Sequence, residues 1–236
     1  MRNLAIILTA GLISLGANAQ KVIEKNIDYK NQYIDIELKF ASEIEVKTWD
    51  KASVYVKADI SMEEEKYEDM FELNIDEGSS TIDIGTNSEK IFKKIWDDYE
   101  EKYGKKKRYF HRGDEYEFNY TVYLPKNSRF KVSSINGSLK SEVIEGDFTA
   151  DLINGDIDIK AYKGNLDLST INGAIDLKMI NADLVAETIH GNIYADEKLK
   201  FDATDRHVGQ KISGRTADGK NRLRLNTING NMYLRL

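Results

Sequence analysis

Ile135-Asn136-Gly137, Ile153-Asn154-Gly155, Ile171-Asn172-Gly173 and Ile189-His190-Gly191 follow one another at intervals of 18 residues, and Ile228-Asn229-Gly230 returns after an interruption. Self-similarity at a fixed period is the signature of a repeat architecture and outranks any local reading. The interval also halves, because a small residue marks each midpoint: Gly137, Gly146, Gly155, Gly164, Gly173, Ala182 and Gly191 lie nine apart. Counted from that residue, the third position reads Leu139, Phe148, Ile157, Leu166, Ile175, Leu184 and Ile193. The fifth reads Ser141, Ala150, Ile159, Leu168, Leu177, Ala186 and Ala195. Positions three and five share one face of a strand.

Position eight (Ile144, Ile153, Tyr162, Ile171, Ile180, Ile189) has the opposite parity yet is apolar. A bend between positions five and eight would return it to the interior. Nine residues then make one strand and one corner, and 18 make a coil of two strands stacked about 4.8 Å above its predecessor. The sequence therefore predicts an all-β protein: a parallel β-solenoid, or single-stranded β-helix, with two strands per 18-residue coil. The corner glycine is expected to supply a positive φ, which the preceding Asn also tolerates. Asn136, Asn154, Asn172, His190 and Asn229 are expected to form one structural corner column, its amides hydrogen-bonded up the stack. An antiparallel meander competes, since Asn-Gly is also a hairpin signal, but it gives the 18-residue identity no reason to exist.

Outward from the repeats, Asn221 opens another unit with Leu223, Leu225, Thr227 and Ile228 in the proper positions, and Gly230, Met232 and Leu234 begin a last one. Residues 200–220, with Gly209, Gly214 and Gly219, read as a loop or hairpin inserted at a corner. Upstream, Ile34 to Leu38, Ile44 to Val46, Val54 to Val56, Phe71 to Ile75, Ile82 to Ile84 and Tyr116 to Leu124 alternate as strands do. These are expected to continue and cap the stack, because an open terminal coil exposes unpaired edge groups. Ile91, Phe92, Ile95, Trp96, Tyr99 and Tyr103 instead recur at helical spacing, predicting a short amphipathic insertion over residues 88–104. The organisation expected is a β-rich N-terminal part over residues 20–124 and the repeats over residues 125–236.

Met1-Arg2-Asn3, the apolar run Leu4 to Leu15 and Ala17-Asn18-Ala19 have the form of a secretory signal peptide over residues 1–19, too short for a membrane anchor. Its removal takes one arginine, leaving 33 basic against 40 acidic residues, so the mature chain is acidic. That sign and the export signal disfavour nucleic acid as a partner. With no cysteine there is no disulfide framework and no thiolate metal site. No second apolar run of membrane length follows, so the mature chain is expected in a periplasm or outside the cell.

Tyr123-Leu124-Pro125-Lys126-Asn127-Ser128, followed by Phe130 to Gly137, resembles a strand, a Pro-Lys-Asn turn and the first repeat of the bacterial putative-adhesin β-strand-repeat family, also called toast-rack domains. Ile44 to Asp50 with Val54 to Val56 is similar to the family's opening strands. The resemblance covers roughly residues 30–60 and 116–236, and residues 88–113 depart from it. It implies an exported β-solenoid of a bacterial cell envelope and carries no catalytic or ligand residue; some relatives are linked to envelope-stress signalling.

Asp156, Asp158, Asp167 and Asp176 are the first candidates for chemistry, since solenoid enzymes that cleave polysaccharides use outward carboxylates. Lys160 and Lys178 stand two residues from Asp158 and Asp176, so a solvated face of offsetting charges accounts for them. Calcium-binding rolls also repeat every nine residues but need Gly-Gly-x-Gly-x-Asp turns, which are absent. His111, His190 and His207 fit no metal-ligand spacing, and no nucleophile-elbow motif occurs. No enzyme, catalytic residue, metal or cofactor is expected. Lys105, Lys106, Lys107, Arg108, Tyr109, Phe110, His111 and Arg112 form the one strongly basic stretch; a solvated loop balanced by Asp97, Asp98, Glu100 and Glu101 accounts for it, and the competing reading is a site for envelope glycan or lipid headgroups made by Lys105, Lys106, Lys107, Arg108, Tyr109 and Arg112. The reading is a noncatalytic adhesin-like binding or scaffolding module. Its alternatives are a polysaccharide-active enzyme and an envelope-stress component that binds a membrane protein.

Overall fold

The computed structural model describes residues 21–104, 116–179, 182–205, 208–215 and 221–236. The chain opens with β1 (Lys21–Asp28), β2 (Tyr33–Glu37), β3 (Phe40–Trp49) and β4 (Ser53–Met62). A single-turn helix α1 (Glu65–Glu68), β5 (Leu73–Glu77), β6 (Thr81–Thr86), α2 (Ser88–Tyr103) and β7 (Tyr116–Pro125) follow. The repeats comprise β8 (Ser128–Ser141), β9 (Ile144–Asn154), β10 (Ile157–Ile159), β11 (Tyr162–Lys163), β12 (Leu166–Asn172), β13 (Ile175–Lys178), β14 (Ala182–His190) and β15 (Ile193–Ala195). A hairpin of β16 (Asp202–Asp205) and β17 (Gln210–Arg215) precedes β18 (Asn221–Asn229) and β19 (Met232–Arg235).

All-β is the class, and the sheet is mixed. Parallel pairing runs through β8, β9, β12, β18 and β14 on one side and through β8, β10, β13, β19 and β15 on the other. Residues 18 apart face each other in the first three repeats, as in Phe148 with Leu166 and Ile157 with Ile175. Upstream, β2 pairs in parallel with both β8 and β6, and β3 with both β8 and β7. Antiparallel strands close the two ends: β5 on β6, β4 on β7 and β1 on β4 at one, β17 on β14 and β16 on β17 at the other. The expectation of a parallel β-solenoid is thus met in its all-β class and in the parallel ladders of the repeats, while the sheet as a whole is mixed. Hairpin returns can only be antiparallel, as in β5 on β6 and β16 on β17, whereas β4 on β7, β1 on β4 and β17 on β14 join strands distant in the chain; all of them cover edges that the stack leaves open.

The repeats also do not stack in chain order. The last coil, β18 with β19, lies between β12 with β13 and β14 with β15, although it comes last in sequence. Charge favours that order. Arg224 of β18 faces Asp167 of β12, Arg222 faces Asp183 of β14, and Arg235 of β19 reaches Asp176 of β13. In the register these pairings set, direct contact of β12 with β14 would place Asp167 opposite Val185 and leave Asp183 outside the paired stretch of β12, so neither carboxylate would face a cation.

The core is the dry interior between the two ladders. Positions three and five point into it as expected, from Leu139, Phe148, Ile157 and Leu166 to Ala186, until Ile193 is only partly covered and Ala195 is exposed. Position eight divides. Ile144 and Tyr162 are buried after a bend, but Ile153, Ile171 and Ile189 are 39 to 42% exposed. In those units the strand runs straight and position seven is inward: Leu152, Thr170, Thr188 and Thr227 are buried. The threonines belong there because each hydroxyl donates to the carbonyl of a corner glycine in the adjoining coil, Thr170 to Gly155, Thr227 to Gly173 and Thr188 to Gly230. A hydrogen-bonded hydroxyl is an acceptable core group, whereas an unpaired one is costly.

The expected positive φ is found at Gly146 (+150°) and Gly164 (+128°) as well as at Gly137, while the other corner glycines are needed for a second reason. Gly137 has φ +108°, but Gly155, Gly173, Gly191 and Gly230 do not take the left-handed conformation. A Cβ on Gly173 would stand 2.0 Å from the carbonyl oxygen of Gly155, and one on Gly230 would stand 1.9 Å from that of Gly173. Corners stack backbone on backbone, and only a hydrogen fits between them. The helical insertion is α2, placed between β6 and β7 where other coils turn a corner. Its Ile91 is buried and Phe92 packs on Phe40 and Tyr116 at 4.8 Å each, while Trp96 and Tyr103 near its far end are exposed.

Candidate functional site

Asn154 donates to Asn136, Asn172 to Asn154 and Asn229 to Asn172, at 2.8 to 3.1 Å, so the amides form a continuous column in which the side-chain carbonyls of Asn136, Asn154 and Asn172 each receive one N–H. His190 faces Asn229 in register at the end of it. The column runs 136, 154, 172, 229, 190 because of the intercalated coil. Its amides serve one another, and the exposed isoleucines stand beside it.

The candidate carboxylates do not converge. Asp158 and Asp176 face each other on β10 and β13, but Lys160 lies 2.7 Å from Asp158, and Arg235 grips Asp176 through Nε at 2.8 Å and a terminal nitrogen at 2.7 Å. The hydrogen bonds to these carboxylates hold Lys160 and Arg235 above their ordinary pKa ranges. Asp176 was expected to be offset by Lys178; the intercalated β19 supplies a better, two-toothed partner. Asp156 accepts from the Ala174 backbone N–H at 2.7 Å and so pins two coils together. Asp167 lies on the other ladder. Among the described residues, no three of His, Asp and Glu gather as a metal would require. Lys105, Lys106, Lys107, Arg108, Tyr109 and Arg112, with His111 and His207, lie outside the described residues.

The outward faces hold grooves that the repeat pattern did not reveal. One of about 400 Å³ crosses β8, β9, β12 and β18 and is lined by Tyr33, Arg129, Asp147, Asp167, Arg222 and Arg224 among others. Asp147 accepts from Asn165 at 2.8 Å, and Asn165 in turn accepts from the Arg222 backbone N–H at 2.9 Å. Burial pushes the Tyr29 and Tyr33 hydroxyls up in pKa and the neighbouring Arg129 charge opposes it. A second groove, about 450 Å³, runs over β5, β6, β2 and β8 with Asp35, Asp76, Asp83 and Lys131. A third, about 440 Å³, opens where three turns meet. Reading the outward positions two and four of each strand side by side would have singled out Arg129, Arg222 and Arg224, which face Asp147, Asp183 and Asp167 on neighbouring strands.

Among solved structures, a putative cell adhesion protein from Clostridium sporogenes superposes with a TM-score of 0.61 at 10% identity, over 92% of this chain and 99% of that one. The two chains share a fold. At that identity the likeness extends to architecture and no further. A putative adhesin from Parabacteroides merdae (13% identity, 74% of this chain and 69% of that one, TM-score 0.32) and a putative lipid binding protein from Parabacteroides distasonis (14%, 90% and 96%, TM-score 0.25) match too loosely to carry an argument. No family model matches the sequence, and no curated protein matches it significantly. The resemblance read from the repeats is met, at the level of fold, by the Clostridium sporogenes structure, which is named a putative cell adhesion protein.

Proposed function

We propose that this chain is an exported, noncatalytic, adhesin-like binding module of a bacterial envelope, its 18-residue repeats forming a parallel β-solenoid that presents broad outward faces. Residues 1–19 are its signal peptide, residues 20–124 its capped N-terminal part and residues 125–236 its repeats. The observation that carries this reading is the state of the outward carboxylates: Asp158 and Asp176, the pair most like a catalytic dyad, are each tied to a cation. A glycosidase needs two carboxyls free to exchange protons across a substrate bond. Open grooves on regular faces suit many weak contacts instead. The fold shared with a protein named for cell adhesion supports the same reading. The basic stretch from Lys105 to Arg112 is a second region of contact, with anionic headgroups on an envelope or a neighbouring cell.

The test is to produce the full chain in a bacterium, sequence its N-terminus, and measure attachment of the purified protein to glycan- and lipid-coated surfaces. The expected result is a chain beginning at Gln20 that attaches saturably and releases no sugar from the glycans. A chain that keeps Met1, attaches nowhere or depolymerises a glycan overturns the reading.

A further inference from the structure

Three turns far apart in sequence meet at one edge of the molecule, between β1 and β2, β3 and β4, and β7 and β8. Backbone bonds lock them together: Tyr29 N–H donates to Ala52 at 3.1 Å, Lys126 N–H to Trp49 at 2.9 Å and Asn127 N–H to Glu145 at 2.9 Å. Asn31 and Asn127 hold φ of 65° and 61°, the left-handed conformation that asparagine tolerates in tight turns. The open groove between the turns measures about 440 Å³, larger than a lone phosphate needs, and the backbone bonds fix its walls.

Its lining combines one indole face with cations. Trp49 is oriented by its Nε1–H donating to Ser53 at 2.7 Å and is backed by Tyr123 with ring centres 5.0 Å apart. Lys51 Nζ sits 4.4 Å over the ring, so that face is open to a cation and to solvent. Lys30 and Lys51 are exposed and make no ion pair among the described residues, whereas Lys126 is held by Asp50 at 3.2 Å and by Glu145 at 3.1 Å. Three ammonium groups and one carboxylate thus line a pocket of a chain whose net charge is −6. Neither the folding of the turns nor the core requires Lys30 or Lys51 to be charged.

We infer that this pocket binds an acidic sugar unit, a pyranose carrying a carboxylate. The apolar face of the ring lies on Trp49, as aromatic platforms favour. Lys30 and Lys51 meet the carboxylate, Lys51 exchanging the indole for the anion. The ring face argues for a sugar over a free anion, and the two unpaired lysines argue for an acidic sugar over a neutral one. This site rests on the adhesin-like reading above and gives it a ligand class.

Calorimetric titration of the mature chain with oligomers of galacturonate, alginate and hyaluronate, and with neutral xylan and dextran oligomers of equal length, tests it. At least one uronate oligomer should bind, at least about tenfold tighter than the neutral ones. Lys30→Gln and Lys51→Gln should each weaken it about fivefold, and Trp49→Ala about tenfold with Trp49→Phe restoring most of the loss. Thermal unfolding of the two exposed lysine variants should match wild type, which keeps the result independent of folding. Failure of all three uronates at millimolar concentration, equal binding by wild type and the lysine variants, or neutral oligomers bound as tightly overturns the site. Continued surface attachment by the wild-type chain, with no uronate bound, removes this site and leaves the adhesin-like reading standing. Loss of all attachment by wild type removes both.

Discussion

The two ends of the stack are closed in the same way but not to the same depth. At the N-terminal end β4, β5 and β1 lie antiparallel over β7, β6 and β4, and beneath them Phe118 packs against Phe71, Tyr116 and Phe92 with ring centres 5.0 to 6.0 Å apart. At the other end the hairpin of β16 and β17 pairs with β14 and touches β15 where the Gln210 side chain accepts from the Ile193 N–H at 2.8 Å, and β15 has only β19 as a ladder partner among the described residues. Tyr194 of β15 is 52% exposed, stacked on Tyr233 with ring centres 5.4 Å apart. A parallel stack cannot terminate itself, since each strand added presents a new unpaired edge. Antiparallel returns solve this, and the bulk placed under them decides how firmly each end is held.

The largest test of that inequality removes the bulk. Phe118→Ala empties a fully buried site in the thicker cap and should lower global stability by about 3–5 kcal/mol in urea unfolding. Ile212→Ala in the thinner cap truncates a half-buried side chain and should cost about 1–2 kcal/mol. Equal losses would mean that the two ends contribute alike and that strand count alone is a poor guide to how an end is held.

Next comes close approach of backbones, which distinguishes the stacked corners from the N-terminal strands. Gly230→Ala pushes a methyl into the Gly173 carbonyl and should cost about 2–3 kcal/mol, read as a lowered midpoint with unchanged slope. Gly85→Ala in β6 meets its nearest neighbour, the Glu37 carbonyl oxygen, at 3.7 Å, an ordinary contact. It should be neutral within about 0.5 kcal/mol or slightly stabilising, because alanine loses less backbone entropy than glycine on folding. A mild Gly230→Ala would show that coils can part without penalty and that the glycine column is dispensable.

The same two glycines mark the limit of what the sequence discloses. Like residues at a fixed interval reveal that coils stack in register, and Asn136, Asn154 and Asn172 align as that interval implies. Order is a different property. Asn229 carries the same signature as Asn172 and His190, so no count of positions places β18 between β12 and β14; only the sign of Arg222 and Arg224 against Asp183 and Asp167 does. Ile153, Ile171 and Ile189 read as core because they are apolar, yet strict alternation from Leu166 through Leu168 already made Thr170 the inward residue. The hydroxyl bond to Gly155 that permits this involves a residue 15 positions away and has no local signal. Lys30, Lys51 and Lys126 likewise share a pocket only because three turns meet, and nothing near any of them announces the others.

The smallest effect separates the ends by where it is felt. Arg215 of β17 reaches Asp183 of β14 at 3.0 Å, and both side chains are well exposed. Arg215→Ala should therefore change global stability by less than about 0.5 kcal/mol. Its consequence should be local, because that pair joins the outer hairpin to the stack: amides of β16 and β17 should exchange with solvent faster in the variant than in wild type. Amides shared by β4 and β7 open only when the whole core does, and their exchange should be unchanged. If the β4 and β7 amides speed up together with the hairpin, the two ends unfold as one unit, and the thinner cap is as much a part of the global transition as the thicker one.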